Sequence, residues 1–406
     1  MAGESTPLRI LVVTPSVPYP PNWGFGIRVF NLLRELARTH RVSLVCFAAE
    51  DDRAKVDELL RFCEAVHTVA PPLANNRVKR TRQLRSAFSR RSFQSAGMHS
   101  AEMVRLLTQL LSREAYDLVQ LESSQLVSSF PPCSIPIVVD EHNIEYELLR
   151  RMVDVERSPL RKAYNWIEYR KFRREEIAAW FRVDACVLTS DREYHIFRAA
   201  LPSKAAHVAP NGVDVDYFQP SDAPTEPGSI VFTGLMSYRP NVDAVKFFVR
   251  EVMPRIVAAI PNVKFTIVGL DAQHNVGFLA GPHVEIASDV PDVRPYIQRA
   301  SVVAVPLRMG SGTRLKVLDA LAMGKPMVST RVGCEGIAVE NGKHLLIEDD
   351  PDRFADAVIR LLSDAAQSQS LGAAGRQLVE ARYSWASISR SLAEFHAQVL
   401  MLSRNV

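Results

Sequence analysis

Between Arg308 and Asp319 the sequence reads RMGSGTRLKVLD: three cations (Arg308, Arg314, Lys316), two glycines (Gly310, Gly312), two hydroxyls (Ser311, Thr313) and one carboxylate. Glycine lets the main chain approach a ligand closely, and the first N–H groups of a helix carry a partial positive charge outward. The apolar run VVAVPL precedes this stretch and Gly324 and Pro326 follow it, so the pattern predicts a strand, a loop and a helix over Thr313 to Met323. Such a loop suits a diphosphate, with Arg308, Arg314 and Lys316 supplying charge. Asp319 lies about 9 Å along the axis from Thr313 at roughly 1.5 Å per residue, where a carboxylate can accept both hydroxyls of a ribose. The plainer alternative is a capped core helix in which Lys316 and Asp319 pair at i, i+3 and the glycines serve only the turn.

Other places also offer chemistry. His142 follows the apolar run IPIVVD and reads either as a satisfied loop residue or as a ligand-facing group. Gly24 and Gly26, in PPNWGFGIR, open a predicted helix with Arg28 one turn inside it. GFGIRV is not G-x-G-x-x-G, and no acid follows at the offset a dinucleotide ribose needs. Asp214 and Asp216 mimic a metal-binding D-x-D, but they lie in a linker where Asn211 and Gly212 suit a turn. SDVPD, Ser288 to Asp292, reads either as a plain turn or as a loop whose main chain contacts a base. No metal site is expected.

The elements that must position these residues follow one plan used twice. RILVVTP, a Pro- and Gly-rich loop, VFNLLRELARTH and VSLVCF form a strand–loop–helix–strand opening, and SIVFTG restarts the pattern at Ser229. A single helix is expected over VDAVKFFVREVMPRIVAAI, followed by the strand VKFTIVG. The fold class is therefore α/β, with two doubly wound parallel-sheet domains. The expected divisions are residues 1–209, residues 210–385, and a terminal helix at 386–406 packing back on the first domain. His207 to Gly228 is read as the linker. Ligands of such sheets bind beyond the carboxyl ends of the strands, and the cleft between the two domains is the expected active site.

Composition is that of a globular protein, with 406 residues, 47% hydrophobic and a net charge of +4. No leader or roughly 20-residue apolar span is read, so a cytoplasmic chain is expected. Cys46, Cys63, Cys133, Cys186 and Cys334 are scattered, which suits reduced core thiols. Arg77 to Arg91 holds seven basic residues and no acid, and a second basic and aromatic stretch runs from Arg161 to Arg174. Each reads as a solvated helix face, a patch for the inner face of an anionic membrane, or a polyanion site. Ion pairs with Glu168, Glu175 and Glu176 account for the second. No nucleic acid partner is expected.

The Arg308–Thr330 segment resembles the nucleotide-sugar motif of the family 4 glycosyltransferases, which have a GT-B fold. Stretches similar to the same family are VTPSVPYPPNWGFGIRVFNLLREL, DEHNIEY, PNGVDVDYF, FTGLMSYRPNVDAV, DVPDVRPY and NGKHLLIEDDPDRFADAV, in the family's order along nearly the whole chain. The resemblance implies transfer of a sugar from a nucleoside-diphosphate sugar to a glycan, lipid-linked or small-molecule acceptor, with retained configuration and no metal or other cofactor. The family's paired glutamates fall on Ser311 and Asp319, and its arginine and lysine after the first strand of the second domain fall on Leu235 and Pro240. Arg308, Arg314 and Arg239 are expected to replace that lost charge, which a departing diphosphate needs. The resemblance also implies donor contacts from Gly24, Gly26, Arg28, Gly234, Val290 and Leu315, and an active-site role for His142. A GT-B epimerase, a phosphorylase and a non-catalytic scaffold are the alternative functions.

Overall fold

The computed structural model describes residues 7–72, 86, 89, 91–93, 95, 98–156, 158–221, 223–310 and 313–404. The chain divides into two compact units, Met1–Pro210 with Ile388–Val406, and Asn211–Ser387.

The first unit is built on seven parallel strands: β1 (Arg9–Thr14), β2 (Arg41–Phe47), β3 (Ala65–Val69), β4 (Leu118–Leu121), β5 (Ile137–Glu141), β6 (Ala185–Leu188) and β7 (Ala205–Val208). Their spatial order is β3-β2-β1-β4-β5-β6-β7. The central strands are covered on both faces, which is why β1 reads as an unbroken apolar run, with Ile10, Leu11, Val12 and Val13 all buried. Order reverses beside β1, so the loops leaving β1 and β4 diverge and open a crevice at their carboxyl ends. Helix α1 (Gly24–Leu36) follows β1, α2 (Glu145–Val155) follows β5, and the long α3 (Pro159–Arg182) precedes β6.

The second unit repeats the plan with six parallel strands: β8 (Glu226–Thr233), β9 (Lys264–Gly269), β10 (Val284–Ser288), β11 (Ala300–Val305), β12 (Met327–Ser329) and β13 (Leu346–Ile347). The order β10-β9-β8-β11-β12-β13 places its switch between β8 and β11. The helices that flank this switch are α4 (Arg239–Phe247) and α5 (Leu315–Ala322).

Two elements differ from the sequence-based expectation. The helix expected over Val242 to Ile260 is interrupted by a π-helical turn at Phe248–Val252 before resuming at Met253–Ala259. Pro254 is the reason, since it has no N–H for the helical ladder and its ring crowds the preceding turn. Helix α5 starts at Leu315 rather than Thr313, because Arg314 takes the cap position with non-helical backbone (φ −85, ψ 83) while its side chain turns inward. The last helix, α6 (Trp385–Arg404), belongs from Ile388 onward to the first unit. Among the described residues no helix is long and apolar enough to cross a membrane, and all five cysteines are free.

Candidate active site

In the second unit the groups that could bind an anion gather where β8 and β11 part. Lys316, on the first turn of α5, donates from Nζ to Asn241 Oδ1 at 2.8 Å and lies 3.9 Å from the centroid of the Phe232 ring. Asn241 in turn donates to the carbonyl of Leu235 at 2.8 Å, so this one side chain ties α4, the turn after β8 and Lys316 together. The approach depends on Gly234, where an added Cβ would lie 2.7 Å from Lys316 Nζ and 2.8 Å from Asn241 Nδ2. Burial, with the nearby Arg314 charge, pulls the Lys316 ammonium down to about 7. Asp319, one turn further along α5, has its carboxyl pushed up to about 7 by burial, with Lys316 partly opposing the rise. Lys316 thus engages Asn241 instead of making the i, i+3 pair with Asp319, and the Asp319 carboxylate has no hydrogen-bond donor among the described residues.

Around this pair lies the glycine turn. Gly310 has φ 136, open to glycine and strained for other residues, and an added Cβ would come within 3.4 Å of Arg314 Nη2 and 3.8 Å of Pro240 Cβ. Ser311 and Gly312 lie outside the described residues. Thr313 Oγ1 accepts from Asn211 Nδ2 at 3.3 Å, which anchors the turn to the segment entering the unit. Arg314 is buried, with Nη2 at 3.8 Å from Glu335 Oε2. Leu315 is half-buried and packs on the core as the first residue of α5, whose N-terminus has no side-chain cap.

Arg308 behaves differently from expectation. Its guanidinium is bidentate to Asp243, at 2.7 and 3.0 Å, lies 3.6 Å from Glu251 and covers the Phe247 ring at 4.6 Å. The structure gives Arg308 to these carboxylates, and Arg314 is the cation placed beside Gly310. Arg239 is exposed at the first position of α4 and makes no ion pair with a described residue. Val290 is half-buried in the loop after β10, preceded by Asp289 in the left-handed region (φ 54). Asp214 accepts from the N–H groups of Asp216 and Tyr217 at 3.2 and 3.0 Å, so the D-x-D look-alike is a turn cap.

In the first unit the carboxyl ends of β1, β4 and β5 bring a second group together. His142, just past β5, has Nε2 2.9 Å from Glu122 Oε2, while Glu122 Oε1 accepts from Gln120 Nε2 at 2.6 Å. Phe25, in the first turn of α1, stacks on the imidazole at 4.7 Å between centroids. With Nε2 turned to a buried carboxylate, Nδ1 is the nitrogen left for a ligand. Gly24 and Gly26 lie in the same first turn, which has no side-chain cap, and an added Cβ at Gly26 would strike the Trp23 ring at 3.0 Å. The N–H groups of this turn are a second anion-receptive helix end.

Arg28 requires a correction. It is fully buried, bidentate to the equally buried Asp140 at 2.9–3.0 Å, and donates from Nη1 to the carbonyl of Pro210 at 3.0 Å. It is a strut between α1 and β5, out of reach of a donor phosphate or an acceptor. Glu122, Asp140 and His142 have ligand atoms within 4.8 Å of one another, a metal-like arrangement. A cation there would have to displace the guanidinium from Asp140 and separate Glu122 from His142, so the donor set suits an ion-pair chain better than a metal. Glu141 is bound by Trp180 Nε1 at 2.6 Å, and burial pushes its carboxyl up to about 7.

The residues missed in the sequence are Glu122 and Asn241. Asn241 had a local signal, since it follows the proline that opens α4 in the YRPN stretch already aligned with the family. Glu122 had only its place immediately after an apolar strand run.

The Glycosyltransferase Family 4 model matches residues 24–217 and the Glycosyl transferases group 1 model matches residues 227–364. An uncharacterized 44.6 kDa protein in the cps region of Klebsiella pneumoniae is 23% identical over 368 residues, covering 86% of this chain and 90% of that one. A GDP-mannose-dependent alpha-(1-6)-phosphatidylinositol monomannoside mannosyltransferase of Mycobacterium tuberculosis is 28% identical over 223 residues, which is 48% of this chain and 56% of that protein. Among solved structures, sucrose-phosphate synthase from Thermosynechococcus elongatus superposes with a TM-score of 0.68 at 17% identity, covering 97% of this chain and 100% of that chain. HepE of Anabaena in complex with UDP gives 0.64 at 13% identity, covering 96% and 100%.

Proposed function

Because this chain belongs to the group 1 glycosyltransferases and has their GT-B fold, we propose that it moves a sugar from a nucleoside-diphosphate sugar to an acceptor hydroxyl, with retained configuration and without a metal. The observation that carries the reading is the Lys316–Asn241–Asp319 group at the β8/β11 switch. A half-buried ammonium held by a neutral amide and a half-buried carboxylate with no donor among the described residues, on one helix, are complementary to a diphosphate joined to a ribose. Lys316, Arg314 and the N–H groups opening α5 take the diphosphate, Arg239 adds charge at the rim, and Asp319 accepts the ribose hydroxyls. Val290 offers its main chain to the base.

The first unit supplies His142 for the transferred sugar or the acceptor hydroxyl, beside the helix end at Gly24 and Gly26. Glu122 and Glu141 are both engaged in buried hydrogen bonds, so neither is offered as a nucleophile. As the bond from sugar to diphosphate breaks, the acceptor oxygen forms the new bond on the same face and its proton passes to the departing diphosphate. The acceptor is a glycan or a lipid-linked glycoside, in keeping with the phosphatidylinositol mannoside named for one relative.

The test is thermal denaturation with UDP, GDP and ADP, each with and without EDTA. One nucleoside diphosphate at a hundred times its dissociation constant raises stability by roughly 2.7 kcal/mol. That shift persists in EDTA and is lost in Asp319→Ala. No shift with any of the three would favour a scaffold without a donor site, and a shift that vanishes in EDTA would overturn metal independence.

A further inference from the structure

Helix α3 sorts its charges by sign. All three of its acids are used inward: Glu168 accepts from the N–H of Phe93 at 2.7 Å, Glu175 from the N–H of Ser92 at 2.8 Å, and Glu176 from the N–H groups of Glu145 and Tyr146 at 3.0 Å each. Of the ion pairs expected for this stretch, the described residues show Glu168 with Lys171, at 3.4 Å. Arg161, Lys162, Arg170 and Arg173 are exposed, and none has a carboxylate within ion-pair distance among the described residues. Interleaved with them are apolar side chains equally turned to solvent: Leu160 is 85% exposed, Trp166 48%, Ile167 37% and Phe181 71%. At about 3.6 residues per turn, Leu160, Trp166, Ile167, Arg170 and Phe181 fall on one face, away from the flank where Glu168 and Glu175 meet Ser92, Phe93 and Ser95.

The same face carries an open basin of about 460 Å³ lined by Trp166, Tyr169, Arg170, Lys171, Arg173 and Arg174. Arg170 lies over the Trp166 ring at 4.9 Å and Arg173 over Tyr146 at 5.7 Å, so the guanidinium groups stand beside aromatic faces rather than against acids. A solvated helix face does not leave a leucine, a tryptophan and an isoleucine in water beside unneutralised cations. A polyanion site would need the cations but not the aliphatic side chains. We propose that this face of α3 docks on an anionic lipid surface, with Leu160, Trp166 and Ile167 entering the headgroup boundary and the basin holding phosphate headgroups. The proposal goes beyond the transfer reaction, and it assigns membrane contact to α3; the basic run Arg77–Arg91, first considered for it, lies mostly outside the described residues.

The experiment is co-sedimentation with vesicles of phosphatidylcholine alone or mixed with phosphatidylglycerol, at ~0.05 M and ~0.5 M salt, where the screening length falls from about 14 to about 4 Å. The wild type should pellet with the anionic vesicles only, and less at high salt. Replacing Lys162, Arg170 and Arg173 by glutamine should weaken binding by about fivefold per charge. Leu160→Ser with Trp166→Ser should weaken it at both salts, and the blue shift in tryptophan emission on adding vesicles should be absent in Trp166→Phe. These side chains are exposed, so each variant should melt with the wild type, which separates lost docking from lost folding. Equal pelleting with neutral vesicles, or full binding by the glutamine variant, would overturn the proposal. So would charge-dependent retention on RNA without vesicle binding, or a dimer that the serine variant dissociates while vesicle binding is absent. Loss of binding only when Arg77, Lys79, Arg80 and Arg82 become glutamine would move the surface elsewhere.

Discussion

The carboxyl ends of the two sheets are built on opposite electrostatic principles. In the first unit the charged and polar groups described there are largely closed among themselves: Arg28 with Asp140, His142 with Glu122, Glu122 with Gln120, and Glu141 with Trp180. In the second, a lysine and an aspartate share a helix without pairing, and burial drives both toward neutrality near pH 7. The first is a frame whose geometry exists before any ligand arrives. The second is a socket which, on the function proposed above, a ligand carrying two or more negative charges and two hydroxyls would complete.

The sharpest way to break that contrast is Arg28→Ala. It leaves the Asp140 carboxylate buried and unpaired, so it should lower unfolding stability by about 3–5 kcal/mol in a urea titration. A loss under 1 kcal/mol would mean that the frame is not closed as described. Lys316→Met acts on the other side. It should weaken nucleoside diphosphate binding by about 10- to 100-fold, corresponding to the roughly 1.5–3 kcal/mol of a charged hydrogen bond, while leaving stability unchanged or slightly raised. The pH dependence has a definite sign. Burial and the Arg314 charge pull the Lys316 ammonium down to about 7 and a diphosphate beside it would raise that value, so Lys316 takes up a proton on binding, and affinity should fall as pH rises above about 7, by up to tenfold per unit. Calorimetric titration between pH 7.5 and pH 9, above the range in which the Asp319 carboxyl ionises, should show this slope in the wild type and lose it in Lys316→Met. The smallest effect is expected from Glu122→Gln, which keeps a hydrogen bond to His142 but removes its charge. Turnover should fall about three- to tenfold with nucleotide affinity unchanged; an equal loss in both would place Glu122 in general stability rather than in the His142 frame.

The sheets were readable from the sequence because their strands are near-continuous apolar runs separated by helix-length segments, a pattern that survives without tertiary information. The glycine turn and the α5 carboxylate were readable for a similar reason, since the spacing of Gly310, Lys316 and Asp319 lies within one segment. What escaped were partnerships across distance in the chain. Arg308 stands two residues before Gly310, yet it is claimed by Asp243, 65 residues earlier. Arg28 looks poised at a helix entrance, yet Asp140, 112 residues away, holds it. Glu122 and His142 are 20 residues apart and meet because β4 and β5 are neighbours, with the last residue of β4, Leu121, opposite Val139 near the end of β5. Local pattern reveals which elements form; the claims that elements make on one another's side chains require the fold.

The missing Cβ at Gly234 has a consequence for how this site could be disabled or inherited. Lys316 reaches Asn241 through a space that one methyl group would fill, with an added Cβ only 2.7 Å from the ammonium nitrogen. A single alanine there would push the cation out of register without removing any ionisable group from the protein. Charge at this site is therefore metered by shape: a steric valve set by a residue that has no side chain at all.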